Sequence, residues 1–514
     1  MQVSVAKNTT TNYLVVLIRI FQGILVTRWL IGYLGDAGYG FWMLLWTFFG
    51  YAILVDFGAG IAGQKYTSQE LFKRDIRHYN SIISMIFTFH VIMALLVIIA
   101  SVVVSFHLEN LFHVHDPSQL AYYKKCFFVF ALSSAALFPF GILNEILVGL
   151  HKIYIKNLIT AGVRLVEMTA FLIILKCGGE LFHIVCCEAL LIASERFVPL
   201  IFVKRLIPGF HMRLQLYDRE VFREVFGFSS GSYIMELSKV LRTYTRNPII
   251  SKYRGLEDVG VFNISNRLSS LCSQAISQYN NNVRPVTTQL FHRGRIRMLR
   301  TFIMKSIQWN TFMCCLIIIP AVMLRDEAIV ALFKKDITPL IHQLSLLSLL
   351  GATTAVTITQ IPSTVLLMCE KHHLIAKINL AEAVFVIVTT ILFLRAGCSL
   401  ICIEIISLST SVFIFFFIRF PIMLKIIHGK FLNVFCGIYL PPVLAAVPAT
   451  AVLIACRKIL AGHVNNFLFC AICGTIYAVI YLLTAWQFLI SRTKKDLWKR
   501  RVTLQVRKRL PKKG

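Results

Sequence analysis

Runs of twenty or more largely apolar residues recur from one end of this 514-residue chain to the other. Each run can cross a hydrocarbon core of about 30 Å as a helix, which satisfies its own backbone hydrogen bonds in lipid. A soluble protein of this length would carry a larger polar surface; here 57% of the residues are hydrophobic and 15% charged. A membrane β-barrel would show short alternating segments, and none dominates. The expected fold is an all-α polytopic membrane protein with about 14 transmembrane helices. They are placed near 11–33, 38–63, 80–106, 125–149, 155–175, 181–203, 225–251, 258–283, 299–324, 340–369, 373–394, 398–418, 432–456 and 465–490. The connections between them are too short to hold a soluble domain. No GxxxxGK[ST] loop occurs, so ATP hydrolysis by this chain is not expected.

The formal charge is +29, with 53 Lys and Arg against 24 Asp and Glu. The basic residues are spread over many short loops, which fits topology better than nucleic-acid binding. With the N-terminus and every second loop inside, the inner segments hold about 32 Lys and Arg and the outer loops about 11, as the positive-inside rule expects. Both termini are then cytoplasmic. The tail after Ser491 carries eleven basic residues and one acid. It reads either as a solvated anchor or as a contact for anionic lipid headgroups. The 14 cysteines fall mostly in apolar stretches, and Cys470 and Cys473, a CxxC without nearby ligands, read as packing rather than as a metal site. No cofactor, metal or catalytic residue is expected. The first apolar stretch lacks a small-residue cleavage site and reads as a span rather than a signal peptide.

Laid on itself with an offset of 220, the chain matches Tyr13 to Tyr233, Tyr33 to Tyr253, Gly35 to Gly255 and Gly40 to Gly260. Arg19 falls on Lys239, so a basic residue sits mid-helix in both copies. The offset spans six helices and returns the chain to the same side, which gives two parallel six-helix repeats plus two C-terminal helices. Transporters often use such repeats, with the substrate between them. The expected segments are a bundle over 1–205, a cytoplasmic linker over 206–224, a second bundle over 225–420, two further helices over 421–491 and the basic tail over 492–514.

The stretch LGDAGYGFW from Leu34 to Trp42, followed by LVDFGAG from Leu54 to Gly60, resembles the opening of polysaccharide-export flippases of the O-antigen type. Those proteins carry an "LG…YGLW" turn and an "LLDLGLG"-like end to helix 2. The second half opens with SKYRGLEDVGVFNISNRL from Ser251 to Leu268, similar to the family's "VGxYxxAxRL" segment, and Pro285 stands where the family ends helix 8. The resemblance covers the whole chain, including its helix count, and its specificity comes from the order of these motifs. The resemblance implies the multidrug/oligosaccharidyl-lipid/polysaccharide exporter superfamily, alternating access, and the bacterial cytoplasmic (inner) membrane. It implies a polyprenyl-diphosphate-linked oligosaccharide as cargo, with membrane lipids and polysaccharide polymerase or glycosyltransferase machinery as further partners. One departure stands out: where many members carry an Asp late in helix 7, this chain has Thr245, Arg246, Asn247 and Pro248.

A charge at mid-bilayer costs about 2.5–3.5 kcal/mol, so such a residue faces a cavity or a partner. Glu236, Lys239, Arg242 and Arg246 form one stripe on helix 7. It reads as a substrate-facing cationic wall or as internal pairing, above all Glu236 with Lys239. Arg19 takes the same reading. Asn263, Asn266 and Arg267, at i, i+3 and i+4 on helix 8, offer donors to sugar hydroxyls or phosphate, or form a structural seam. Arg164 with Glu167 reads as a local pair, and Glu195 pairs with Arg196 or with a neighbouring helix. Asp56 and Glu145 lack a sequence-local partner. They are candidates for ion coupling, because burial favours a protonated carboxyl, or else cap backbone and pair across helices. The reading that follows is a lipid-linked oligosaccharide flippase, not an enzyme. The alternative is a cation-coupled multidrug exporter of the same superfamily, which should prefer an acid-lined cavity. A membrane-embedded glycosyltransferase or polymerase would need a catalytic loop that the chain lacks.

Overall fold

The computed structural model describes residues 2–73, 75–112, 114, 116–214, 233–234, 236–369, 371–460 and 463–489. The basic tail expected over 492–514, the second half of the linker (215–224) and the first residues of the span expected at 225–251 lie outside them. Every regular element among the described residues is helical, with no strand. The first half runs α1 (Gln2–Val55), α2 (Ala59–Lys73), α3 (Ile76–Phe106), α4 (Leu108–Phe112), α5 (Pro117–Leu137), α6 (Ile142–Gly149), α7 (Ile153–Lys176) and α8 (Leu181–Leu206). After helical residues 236–244 come α9 (Arg246–Arg254) and α10 (Leu256–His292).

Among the described residues ten helices are long and apolar enough to cross a membrane. The expected count of fourteen does not emerge from length and apolarity alone, for physical reasons. Thr10–Tyr51 holds two expected spans in one segment, broken at Gly35, where φ is 70°. Helix α8 is present but carries Glu188, Glu195 and Arg196, and α10 is rich in Asn, Ser and Gln. Many side chains of the spans remain exposed, such as Leu190, Ile99 and Phe417, and form the faces that lipid covers.

Local chemistry sets the turns. Asp75 and Asp116 cap α3 and α5 by accepting hydrogen bonds from the backbone N–H groups of His78 and Ser118, and Pro117 sits at the first position of α5, where no N–H is missed. Gly35 and Gly255 share one backbone conformation, with φ of 70° and 89° and ψ near 180°. Just beyond each, a glycine allows close approach. A Cβ on Gly40 would lie 2.1 Å from the Leu256 carbonyl oxygen, and one on Gly260 would lie 2.4 Å from that of Asp36. The two contacts exchange under the offset of 220, so the matched glycines form one pseudo-symmetric helix crossing.

The chain forms two compact units. The first comprises Met1–Arg267, Leu332–Ser348 and Lys371–Thr410. Its core packs α2, α3, α6 and α8 through Tyr79, Ile82, Ile86, Ile142, Ile146 and Val203. The aromatics of the YGFW motif are buried here too: Phe41 stacks on Tyr123 at 4.2 Å, and Trp42 meets Phe171 at 5.8 Å. The second unit comprises Leu268–Ala331, Leu349–Glu370 and Ser411–Gly514. There the helices Leu440–Leu460 and Asn466–Leu489 pack on Ile296–Met323. Cys473, of the CxxC, is buried in that core beside Tyr477 and Tyr481.

Candidate functional site

The charged centre of the first unit is a cavity of about 320 Å³ lined by Asp56, Gly60, His90, Gly141, Glu145, Arg196, Tyr233 and Glu236. Asp56 follows α1 and caps α2, with both carboxylate oxygens accepting from the Gly60 N–H at 3.2 and 3.3 Å. His90, buried on α3, places Nε2 2.8 Å from Asp56 Oδ1. The other ring nitrogen, Nδ1, is buried without a hydrogen bond. Glu145 on α6 accepts from Gln64 and, at 3.3 Å, from Lys156 Nζ.

Two glycines lie against these side chains. A Cβ on Gly60 would stand in ordinary contact with Glu145 Cγ at 3.4 Å and with the Asp56 carboxylate at 3.5 Å, so both acids pack against this position. A Cβ on Gly141 would stand 2.8 Å from Arg196 Nη1. The wall therefore carries three carboxylates, a histidine and a guanidinium. It can bind a proton or cation at the acids and an oxyanion at Arg196.

The sequence profile of the family described as "Polysaccharide biosynthesis protein" matches residues 38–342. The chain belongs to that family. No curated protein matches it. Among solved structures, "Lipid II flippase MurJ, inward closed conformation" is similar with a TM-score of 0.69 at 14% identity, covering 94% of this chain and 98% of that one. An inward-facing multidrug resistance MATE family transporter of the MOP superfamily is similar at 0.61 and 15% identity, covering 80% and 95%. An outward-facing one reaches 0.57 at 13%, covering 82% and 96%. At such identities the likeness establishes the fold, which this polysaccharide biosynthesis family member shares with membrane transporters.

In this family member the seven residues expected to meet cargo do not gather at the cavity. Lys239 Nζ pairs with Glu236 at 3.0 Å, Arg242 with Glu382 at 3.7 Å and Arg246 with Glu404 at 3.3 Å. Arg246 also donates to Ser407 at 2.6 Å. The premise of an uncompensated cationic stripe is thereby corrected. The acids opposite Arg242 and Arg246 come from helices His372–Arg395 and Ile401–Ile414. Asn263 donates to Asn247, which donates in turn to Thr47, both at 3.0 Å, while Asn266 bonds back to the Phe262 carbonyl. Arg267 Nε donates to the Gly23 carbonyl at 3.2 Å. Asn263 and Arg267 thus bond across to other helices, while the bond of Asn266 stays within its own. Arg19 is exposed, and among the described residues no carboxylate lies within 4 Å of it.

Asp56 and Glu145 do come together at one cavity, and each also has the cross-helix partner that the alternative foresaw. His90 and Arg196 were not singled out for the site. Neighbours on a helix point about 100° apart, so Glu195 turns to Arg164 while Arg196 turns to the cavity. A histidine inside an apolar span was the one available signal for His90.

Proposed function

We propose that this protein flips a lipid-diphosphate-linked oligosaccharide, an O-antigen or related polysaccharide repeat unit, from the cytoplasmic to the outer leaflet by alternating access. The observation that supports this reading is the cavity of Asp56, His90, Glu145 and Arg196 inside the membrane-spanning bundle of a polysaccharide biosynthesis family member. A static scaffold gains nothing from charges that cost about 2.5–3.5 kcal/mol each to bury in a span. In the orientation given by positive-inside counting, with both termini cytoplasmic in a bacterial inner membrane, these residues lie toward the face where the cargo is assembled. Glycosyltransferases there and a polymerase on the opposite face are the machinery such a transporter would serve.

The cationic contact for the diphosphate shifts from Lys239, Arg242 and Arg246, which are ion-paired, to Arg196 and Arg19. A guanidinium matches phosphate oxygens with two parallel donors. Asp56, with His90, and Glu145 serve ion coupling. Losing one charge-assisted hydrogen bond costs about 1.5–3 kcal/mol, a factor of about ten or more. The Arg196→Gln variant should therefore lower surface polysaccharide about tenfold or more at an unchanged membrane level, with lipid-linked intermediate accumulating inside. Unchanged surface polysaccharide would sink the reading.

The three carboxylates on the cavity wall favour one second reading, export of cationic drugs. A knockout that becomes drug-sensitive while keeping its surface polysaccharide would select it.

A further inference from the structure

A second group of charges lies in the interior of the first unit, between α1, α7 and α8. Arg164 Nη1 is 2.5 Å from Glu167 Oε2 and 3.5 Å from Glu188 Oε1, and Nη2 is 3.3 Å from Glu195 Oε2. One guanidinium thus faces three carboxylates. Glu188 and Glu167 are 0% and 2% exposed.

The hydrogen bonds are unevenly shared. Glu167 accepts from Gln22 at 2.6 Å through its other oxygen, and Glu195 accepts from Thr160 at 2.8 Å. Among the described residues Glu188 has only the long contact to Arg164, and its Oε2 is buried with no hydrogen-bond partner. With all three acids ionised, one guanidinium would face three carboxylates, and Glu188, with the longest contact to it, would be a charge without a close partner at membrane depth. Unpaired buried charge is the most expensive arrangement a span can adopt.

The other cations act on Glu195: the Arg19 and Arg196 guanidiniums both lie within electrostatic reach of it. On its own helix Glu188 has Glu195 and the Cys187 thiol. From α7 it meets Arg164 and Glu167. Helix α1 brings Gln22 to Glu167, and Arg19 within electrostatic reach of Glu195. Helix α6 turns Glu145 toward Arg196, and α5 brings the Cys126 thiol toward Cys186.

We propose that Glu188 carries an exchangeable proton, and that this buried cluster is a proton-loading site of the transport cycle. A metal cation is a poorer fit. Sodium or calcium wants several oxygens, and within the cluster Glu188 Oε2 is the one buried acceptor left over among the described residues. A proton needs only one. Protonation converts that orphan acceptor to a donor and removes one charge from the cluster. Glu195, seven residues on along the same face of α8 and 22% exposed at its side chain, gives the proton a way to water.

The coupling half of this proposal rests on the transporter reading above, but the proton itself does not, so the first test needs no cargo. Infrared difference spectra of the purified full-length protein, recorded between acid and alkaline pH, should show the carbonyl stretch of a protonated carboxyl, shifted in heavy water. That band should vanish in Glu188→Gln and persist in Asp56→Asn. A band absent from wild type, or one surviving in Glu188→Gln, overturns the site, and a band displaced by sodium at fixed pH overturns the choice of ligand. Glu188→Gln copies the neutral form and should fold with wild-type yield; failure to fold would show that the fold requires the ionised acid. Collapse of the proton gradient should slow wild-type polysaccharide export severalfold and leave Glu188→Gln export unaltered. An export rate indifferent to the gradient in wild type overturns the coupling and leaves the proton site standing.

Discussion

Replacing Gly40 with alanine would place a methyl group about 2 Å from the Leu256 carbonyl oxygen, a backbone atom that cannot rotate aside. The helices must part, at a cost of about 1–3 kcal/mol. Gly260→Ala meets the Asp36 carbonyl and should behave alike, whereas Gly32, with nothing within 4 Å, should accept alanine at no cost. Thermal unfolding in detergent would show the first two lowered and the third not, and equal midpoints would refute the close crossing. The pair was legible in the sequence because a shared backbone constraint forces glycine into both copies. Asp56 and Glu145 were legible as acids without local partners. His90 lies 34 residues from Asp56 and Glu188 lies 24 from Arg164, and nothing in a linear sequence pairs them.

The element scale explains why helices were easier to read than their faces. In water an amphipathic period marks the buried side of a helix. In lipid the outward face is as apolar as the core, so a run such as α3 shows where a span lies but not which way it is turned. Only polar residues break that degeneracy, and they serve pairing and cavities alike. The spacing of Lys239, Arg242 and Arg246 suggests a stripe, but the partners Glu382 and Glu404 sit on helices more than 130 residues away in sequence. The C-terminal pair illustrates a use of polarity for docking. Tyr477 donates to the Cys315 carbonyl at 2.8 Å, and Tyr481 contacts the carbonyls of Phe312 and Pro442, both at 3.3 Å. Each buried hydroxyl contributes about 1 kcal/mol. Tyr477→Phe with Tyr481→Phe should therefore destabilise by roughly 2 kcal/mol while retaining the fold, read as a lower unfolding midpoint. A midpoint equal to wild type would mean that ring packing alone holds these helices on Ile296–Met323.

At the scale of the whole molecule, the proposed alternating access requires two states close in free energy, so small contacts can set their balance. In the first unit several turns are tied at one end, the outer end in the proposed orientation. Lys335 Nζ lies 2.6 Å from Asp36, and Arg254 donates to the Gly397 and Cys398 carbonyls at 2.8 and 2.6 Å. Both partners of the Lys335–Asp36 pair are partly solvated, which limits its worth to about 0–1 kcal/mol. Removing it therefore shifts the population by at most about fivefold, and toward opening on that side. Asp36→Asn should raise the rate at which an impermeant maleimide labels Cys398 from outside by up to that factor, about fivefold, and high salt should do the same to wild type by screening the pair. Exchanging the charges, Asp36→Lys with Lys335→Asp, should return labelling to the wild-type rate, because the attraction is restored with its geometry nearly intact. If the exchanged pair labels as fast as the single variant, the contribution of Asp36 is not electrostatic, and the tie must be sought in the backbone bonds of Arg254 instead.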